Sequence, residues 1–301
     1  MALPYPFHQP EGQEDFQHSS KNFSFPGRKS HSEAPLRFDS FPVSGYNNEK
    51  IMMKQEVICI IPYTYETTVT YSDIGPDLRL CHRGLLRVMQ EAAAIDSQNH
   101  GYGLLNTEET GLCWILAGWR LEQLERPVWN TPLSVQTWPR TMEGFFSDRD
   151  FALYAEGRLA ARGTSHWLLV NVSTGRIARI TDQVRGAYEL GERAMFDTPI
   201  PSNSKSALDA RETFSTVVTR RDIDTNHHVN NIHYLDYALE ALPEEALRDL
   251  PPTVEIIFRK QILLGASIRC LPSVTEDGKY QVEIQSGQGK DTIHHAFVWF
   301  Y

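Results

Sequence analysis

The chain has 301 residues, 41% hydrophobic and 22% charged, which is enough for one large domain or two ordinary ones with a sizeable core. Its formal net charge of −9 disfavours nucleic acid or an anionic membrane as the main partner. No apolar run approaches the roughly 20 residues of a membrane helix. The scattered Cys59, Cys81, Cys113 and Cys270 fit buried thiols in a reducing cytosol, with no metal signature.

Residues 1–55 are rich in Ser, Pro, His, Phe and Gly, and Phe16, Phe23, Phe25, Phe38 and Phe41 stand isolated among polar neighbours. This composition predicts a disordered tail. It lacks the apolar core of a secretory signal, and its acidic residues, Glu11, Glu14 and Asp15 among them, speak against an organellar transit peptide. Because Met52-Met53-Lys54-Gln55 resembles a natural start, the preceding residues also read as an upstream extension of the reading frame.

From Glu56 the pattern is that of a folded chain. Residues 63–71 are β-branched and aromatic, as in a strand. Leu85, Leu86, Val88, Met89, Ala92, Ala93 and Ile95 recur at helical spacing, and Gly101 and Gly103 close that helix. Strands are predicted over 113–121, 133–138, 145–154 and 159–170, a helix over 181–195, and a linker over 199–210. The pattern then restarts: a strand over 213–219, a polar loop over 220–228, a helix over 229–242, and strands over 254–264, 267–274, 280–285 and 292–301. Asp73-Ile74 and Asp222-Ile223 anchor the two copies at an offset of 149 residues, which also lays Leu85, Leu86 and Met89 on Tyr234, Leu235 and Ala238. One long helix followed by an antiparallel sheet, twice, is an α+β architecture. The helices are apolar enough to be wrapped by their sheets, so the expectation is a tandem hotdog, with halves at 56–198 and 211–301.

The loop from Asp222 to Asn231 holds two carboxylates, three carboxamides and two imidazoles, where a strand hands over to a helix. Helix capping would account for some of these side chains. The repeat separates the two readings. At the same offset, Asp224, Asn226 and His228 fall on Gly75, Asp77 and Arg79, so only the second half carries the trio. Asp222 has its counterpart in Asp73, which favours a structural role for it. His227 should point away from its neighbour. The adjacent His294 and His295 fall on opposite faces of one strand and cannot share a metal.

The run Asp224-Thr225-Asn226-His227-His228-Val229-Asn230-Asn231, with Tyr234 after it, resembles the DxNxHVNN…Y signature of acyl-acyl-carrier-protein thioesterases. The segments Leu112-Cys113-Trp114-Ile115-Leu116, Trp119-Arg120, Thr137-Trp138-Pro139-Arg140, Arg149-Asp150-Phe151 and Thr164-Ser165-His166-Trp167 are similar to the family's and stand in the same order. The likeness covers about residues 62–301 and fails before that, and the missing transit-like leader makes the chain resemble a bacterial member rather than a plastid one. The resemblance implies hydrolysis of a fatty acyl thioester carried on the phosphopantetheine of an acyl carrier protein. It needs no cofactor and leaves a homodimer open.

Within that reading His228 is the general base or acid, Asp224 orients it or attacks directly, and Asn226 holds the carbonyl or the water. Backbone N–H groups of Val229 and Asn230 are candidate oxyanion donors. Where the family carries an acidic residue, followed by Cys in plant members, this chain has Gln261 and Ile262. Gln261 can hydrogen-bond a water but cannot take its proton. Met89, Ala92, Ala93, Asp96 and Trp114 are candidates for lining the acyl chain, with plain core residues as the competing reading. Arg220, Arg221, Arg259 and Lys260 flank the loop and are candidates for docking an acidic carrier, with solvated surface charge as the alternative. An acyl-coenzyme A thioesterase, a hotdog hydratase and a non-catalytic acyl-binding module are the rival functions.

Overall fold

The computed structural model describes residues 62–201, 204, 206 and 211–301. The predicted tail, Cys59 and most of the linker therefore lie outside the described residues. The first run of elements is strand β1 (Tyr63–Thr68), helix α1 (His82–Asn99), strands β2 (Leu112–Gln123), β3 (Pro132–Glu143), β4 (Phe146–Ala155) and β5 (Arg158–Asn171), and the two-residue β6 (Arg176–Ile177). The second run is β7 (Phe214–Val217), helix α2 (Asn231–Ala241), β8 (Thr253–Phe258), β9 (Ser267–Val274), β10 (Tyr280–Ser286) and β11 (Ile293–Phe300).

Local chemistry explains the helices. In α1 the side chains of Leu85, Leu86, Val88, Met89, Ala92 and Ala93 form one stripe closed to solvent. Each large member contributes about 1.5–3 kcal/mol by leaving water. The helix gives way at His100 to Gly101, whose φ of +80° suits a residue without a Cβ. Helix α2 starts where the Asn230 side chain accepts from the Ile232 N–H at 3.1 Å, and it stops short of Pro243.

All main strands join one antiparallel sheet in the order β1-β3-β4-β5-β2-β8-β11-β10-β9-β7, with β6 paired to the end of β5. Read outward from the β2·β8 seam, each half repeats the same order. The halves are thus related by a two-fold axis through the seam, the two-half arrangement expected from the repeat. On that axis Arg120 stands opposite Glu255, with Nε and Oε2 2.6 Å apart and both side chains buried. Both helices lie against one face of this sheet, and their apolar stripes merge into one main core.

Two segments depart from expectation. Of residues 181–195 only Asp182–Gly186 is helical, capped by Thr181. Beyond it the chain is drawn out over the sheet: Gly191 N–H donates to the Pro139 carbonyl at 2.9 Å, and Gly191 lies so close to Trp138 that a Cβ there would meet the indole at 2.3 Å. Strand β8 ends at Phe258 rather than near residue 264. Arg259 and Lys260 both donate their N–H to the His295 carbonyl, at 2.8 and 3.3 Å, and two donors on one acceptor break the ladder. Gln261 therefore lies on the connecting segment after β8, not on a strand.

The halves also differ in size. Strands β2 to β5 have 12, 12, 10 and 14 residues, against 6, 8, 7 and 8 in β8 to β11. The longer first-half strands carry a satellite apolar cluster of Met142, Leu169, Ile180, Val184 and Tyr188. Among the cysteines, Cys270 is buried as expected, whereas Cys81 and Cys113 are only partly so; all three are free thiols.

Candidate active site

Asp224, Asn226 and His228 sit on a tight loop between a single 3-10 turn (Arg220–Asp222) and α2. The turn is closed by Asp222, whose Oδ2 accepts from the Thr219 N–H at 2.7 Å and from the Thr219 hydroxyl at 2.8 Å. Burial pushes the Asp222 carboxyl up, but these bonds more than offset it and hold the group below its ordinary value. Asp73 is held the same way by Thr70, with Arg87 added at 2.5 Å. Asp222 is therefore a turn clasp, as its partner in the repeat implied.

The loop is pinched at its neck by a bridge between Ile223 and Val229. Inside, Asp224 N–H donates to the His228 carbonyl at 2.9 Å and His227 N–H to the Asp224 carbonyl at 3.1 Å. His227 takes the left-handed conformation at φ +62° that this turn needs, and its side chain is exposed. The first half repeats every step: Ile74 bridges Leu80, Gly75 donates to Arg79, Leu78 donates to Gly75, and Leu78 has φ +61°. The backbone of the loop is thus a property of the fold, made equally well without the trio.

The trio itself is close-set. Asp224 Oδ1 accepts from the Asn226 N–H at 2.8 Å, folding the carboxylate over its own turn. His228 Nδ1 stands 3.8 Å from Asp224 Oδ1, too far for a hydrogen bond. Both side chains are partly buried, and Asn226 is exposed. The N–H groups of Val229 and Asn230 are not available to an oxyanion. They donate to the carbonyls of Ile262 and Asp222, each at 2.9 Å. That leaves the Asn226 carboxamide as the loop's evident donor.

The segment 259–263 lies alongside, joined through the Val229–Ile262 hydrogen bond and a bridge from His228 to Leu263. In the first half the matching bond runs from Leu80 to Pro127, which makes Arg126 the counterpart of Gln261 and Asp77 that of Asn226. Arg126 and Asp77 form an ion pair at 2.7 Å. By this correspondence Gln261 takes the position of Arg126 and Asn226 that of Asp77, and the Gln261 and Asn226 side chains are both exposed. Tyr234, buried on α2, accepts the Ile262 N–H at its hydroxyl at 3.2 Å and packs edge-on against Phe258. Burial, with Asp224 nearby, drives its phenol well above the ordinary range. Sequence reasoning placed Tyr234 within the signature and opposite Leu85 in the repeat; its contact with the Gln261 segment needed tertiary structure.

Arg220 and Arg221 on one side of the loop and Arg259 and Lys260 on the other are all exposed, with Arg221 Nε 3.5 Å from Asp222. The five candidate lining residues separate. Met89, Ala92 and Ala93 belong to the main core. Asp96 is buried in an ion pair with Arg149 at 2.6 Å, and Trp114 joins the satellite cluster, donating its indole N–H to the Tyr188 hydroxyl at 3.2 Å. His100, 3.3 Å from Asp96 and stacked on Tyr188, links these last two. A cleft of about 640 Å³ opens away from the helices, around Arg120, Arg162, Glu255 and Tyr301, and contains none of the trio. Among the described residues no group of three or more His, Cys, Asp or Glu is placed to hold a metal, and no helix is long and apolar enough to cross a membrane.

Comparison with known proteins adds independent findings. Two family models match, the acyl-ACP thioesterase N-terminal domain over residues 61–188 and its C-terminal domain over 205–300. The chain is 28% identical over 202 residues to oleoyl-acyl carrier protein thioesterase 2, chloroplastic, of Arabidopsis thaliana, covering 62% of this chain and 55% of that protein. It is 25% identical over 219 residues to a chloroplastic dodecanoyl-[acyl-carrier-protein] hydrolase of Cinnamomum camphora, covering 67% and 57%. The chain thus spans about half the length of the curated relatives it matches. Among solved structures, an acyl-ACP thioesterase from Bacteroides thetaiotaomicron aligns with a TM-score of 0.70 at 21% identity, covering 79% of this chain and 96% of that one. The 12:0-ACP thioesterase of Umbellularia californica aligns with 0.68 at 21%, covering 80% and 96%. These two bear out the tandem hotdog fold.

Proposed function

The chain belongs to the acyl-ACP thioesterase family, and from that premise we propose that it hydrolyses fatty acyl-acyl-carrier-protein thioesters to free fatty acid and carrier thiol. One observation carries this reading: two loops share a backbone, and only one bears Asp224, Asn226 and His228. A fold requirement would act on both.

In the reaction, His228 takes a proton from water, whose oxygen attacks the thioester carbonyl carbon. Asn226 donates to the oxyanion that forms. As the carbon–sulfur bond breaks, the imidazolium returns the proton to the leaving thiolate. Asp224 stands beside that ring, its Oδ1 3.8 Å from Nδ1. Its Oδ1 is engaged by Asn226 N–H, which supports an orienting role over direct attack. Gln261 holds the water by hydrogen bonds and leaves proton transfer to His228.

Docking of the carrier uses Arg220, Arg221, Arg259 and Lys260, four cations on the two segments flanking the loop. They would meet the acidic carrier and guide its phosphopantetheine arm to His228. The acyl chain runs towards the first half, where Met89, Ala92, Ala93 and Asp96 on α1 and Trp114 on β2 are its candidate neighbours. Met89, Ala92 and Ala93 are closed within the main core, so the chain reaches them only by parting that packing. Residues 56–198 serve as the acyl-binding half, 211–301 as the catalytic half, and the setting is a reducing cytosol.

The test is a thiol-release assay across acyl chain lengths on carrier-protein and coenzyme A thioesters. Turnover on the carrier, lost when the four cations become Glu while coenzyme A activity persists, is expected. Enoyl hydration without thiol release, or tight acyl binding with no turnover, would replace the reading with a hydratase or a binding module.

A further inference from the structure

The half that carries the trio has two additional side chains aimed at the segment after β8, and the internal duplication supplies a control for each. In both halves this segment is tied to the last strand in the same way. Leu124 and Glu125 donate their N–H to the Ala160 carbonyl at 2.8 and 2.9 Å, as Arg259 and Lys260 do to the His295 carbonyl. Ala160 and His295 are thus counterparts, and the backbone arrangement forms without an imidazole. In the second half the imidazole is nevertheless present, 4% exposed. Its Nδ1 bonds the Lys260 carbonyl at 2.9 Å and its Nε2 meets the Ser286 hydroxyl at 2.8 Å. A carbonyl only accepts, so Nδ1 carries the hydrogen and Nε2 accepts from Ser286.

The other end of the segment is also held. Ile262 N–H donates to the Tyr234 hydroxyl at 3.2 Å, whereas the counterparts Pro127 and Leu85 have neither that donor nor that acceptor. Tyr234 thus pairs a buried N–H that the first half does not possess. The imidazole is different, because nothing in the shared backbone calls for it. The residue between the two fixed points is Gln261.

We infer that His295 is a positioning residue that, with Tyr234, fixes the peptide planes on either side of Gln261, so that its carboxamide is presented to Asn226 and to the water that attacks the thioester. The inference rests on the proposed hydrolysis only for its kinetic readout. An unclamped segment would sample several orientations of Gln261, and the water would be held in a fraction of encounters.

A double-mutant cycle on the full chain tests this. His295→Ala is expected to lower kcat for acyl-carrier thioester about tenfold with KM changed less than about twofold, and in a Gln261→Ala background to cost less than about twofold. His295→Asn, whose amide N–H can reach the Lys260 carbonyl, is expected to recover most of the loss. Equal losses in both backgrounds, or none in either, would overturn the inference. Amide hydrogen exchange provides a second readout independent of activity and accessible through Ser286→Ala if His295→Ala fails to fold. Exchange at Ile262, whose N–H is held by Tyr234, is expected to rise about tenfold while that of Leu80, bonded to the matching segment of the other half, is unchanged. Unaltered exchange at Ile262 would refute the clamp. A wild-type chain without thiol release would refute the proposed hydrolysis, leaving the exchange comparison to decide the clamp.

Discussion

At His228 the chemistry is set by what surrounds the ring. Asp224 Oδ1 stands 3.8 Å from its Nδ1, and in the proposed reaction the ring takes the proton of water. Removing the ring removes the only loop imidazole bridged to the neighbouring segment through its own backbone. His228→Ala should therefore abolish thiol release, while the loop, which forms in the first half with Arg79 at this position, stays intact. Circular dichroism and melting temperature should be unchanged, and wild-type turnover would sink the assignment. Gln261 poses the opposite question. A carboxylate there could accept a proton as well as a hydrogen bond, so Gln261→Glu is expected to keep or raise turnover. A loss beyond about tenfold, some 1.4 kcal/mol of barrier, would contradict the assisting role. Asp224, Asn226 and His228 were legible in the sequence because the repeat gave a reference lacking them. The commitment of the Val229 and Asn230 amides was not, since their acceptors, Ile262 and Asp222, are chosen by folding.

Among the elements, β2 and β8 matter most, because their pairing makes one sheet of two. The register puts Arg120 opposite Glu255 on the axis, and Arg120 further donates to Thr198 and to the Pro199 carbonyl at 2.9–3.0 Å. With both groups buried, Arg120→Met would leave the Glu255 carboxylate uncompensated. The expected loss is about 3–5 kcal/mol of stability, and the double change with Glu255→Leu should cost less. Urea unfolding midpoints for the two variants check this. Two of the segments that resemble the family's carry ion pairs of their own. Arg149 holds Asp96 across α1 and β4, and Arg140 bonds Asp150 at 3.0 Å. Periodicity located α1, whose stripe is uninterrupted. It misread residues 181–195 as helix because Tyr188 and Leu190 pack on a satellite cluster while the chain runs extended. It overran β8 because the double donation to His295 that ends the strand is a long-range contact.

For the whole molecule, the halves are also joined by His82, at the start of α1, whose Nε2 donates to the Pro252 carbonyl at 3.3 Å. Burial pushes this imidazole down to about 4. Above pH 6.5 both folded and unfolded chains hold it neutral, and its contribution is complete. As pH falls from 6.5 towards 4 the unfolded chain takes up a proton the folded one refuses, so stability declines, by roughly 3 kcal/mol at most. His295, held below its ordinary value chiefly by burial, acts in the same direction. His82→Gln keeps a donor for Pro252 and removes the titration. Its urea midpoint should vary less between pH 6.5 and 4 than that of the unchanged chain, and equal slopes would refute the assignment.

What the sequence determined by itself was the duplicated order of elements, the helix faces and the loop that differs between copies. Each of these is written in local periodicity or in a comparison of the chain with itself. Only the tertiary structure decided which residues sit on the two-fold seam, where β8 ends, and that Gln261 is held between His295 and Tyr234. Those depend on strand register and on pairings between residues 28 to 135 positions apart. No local propensity encodes such contacts, because many chain separations satisfy the same donors equally well until the sheet is built.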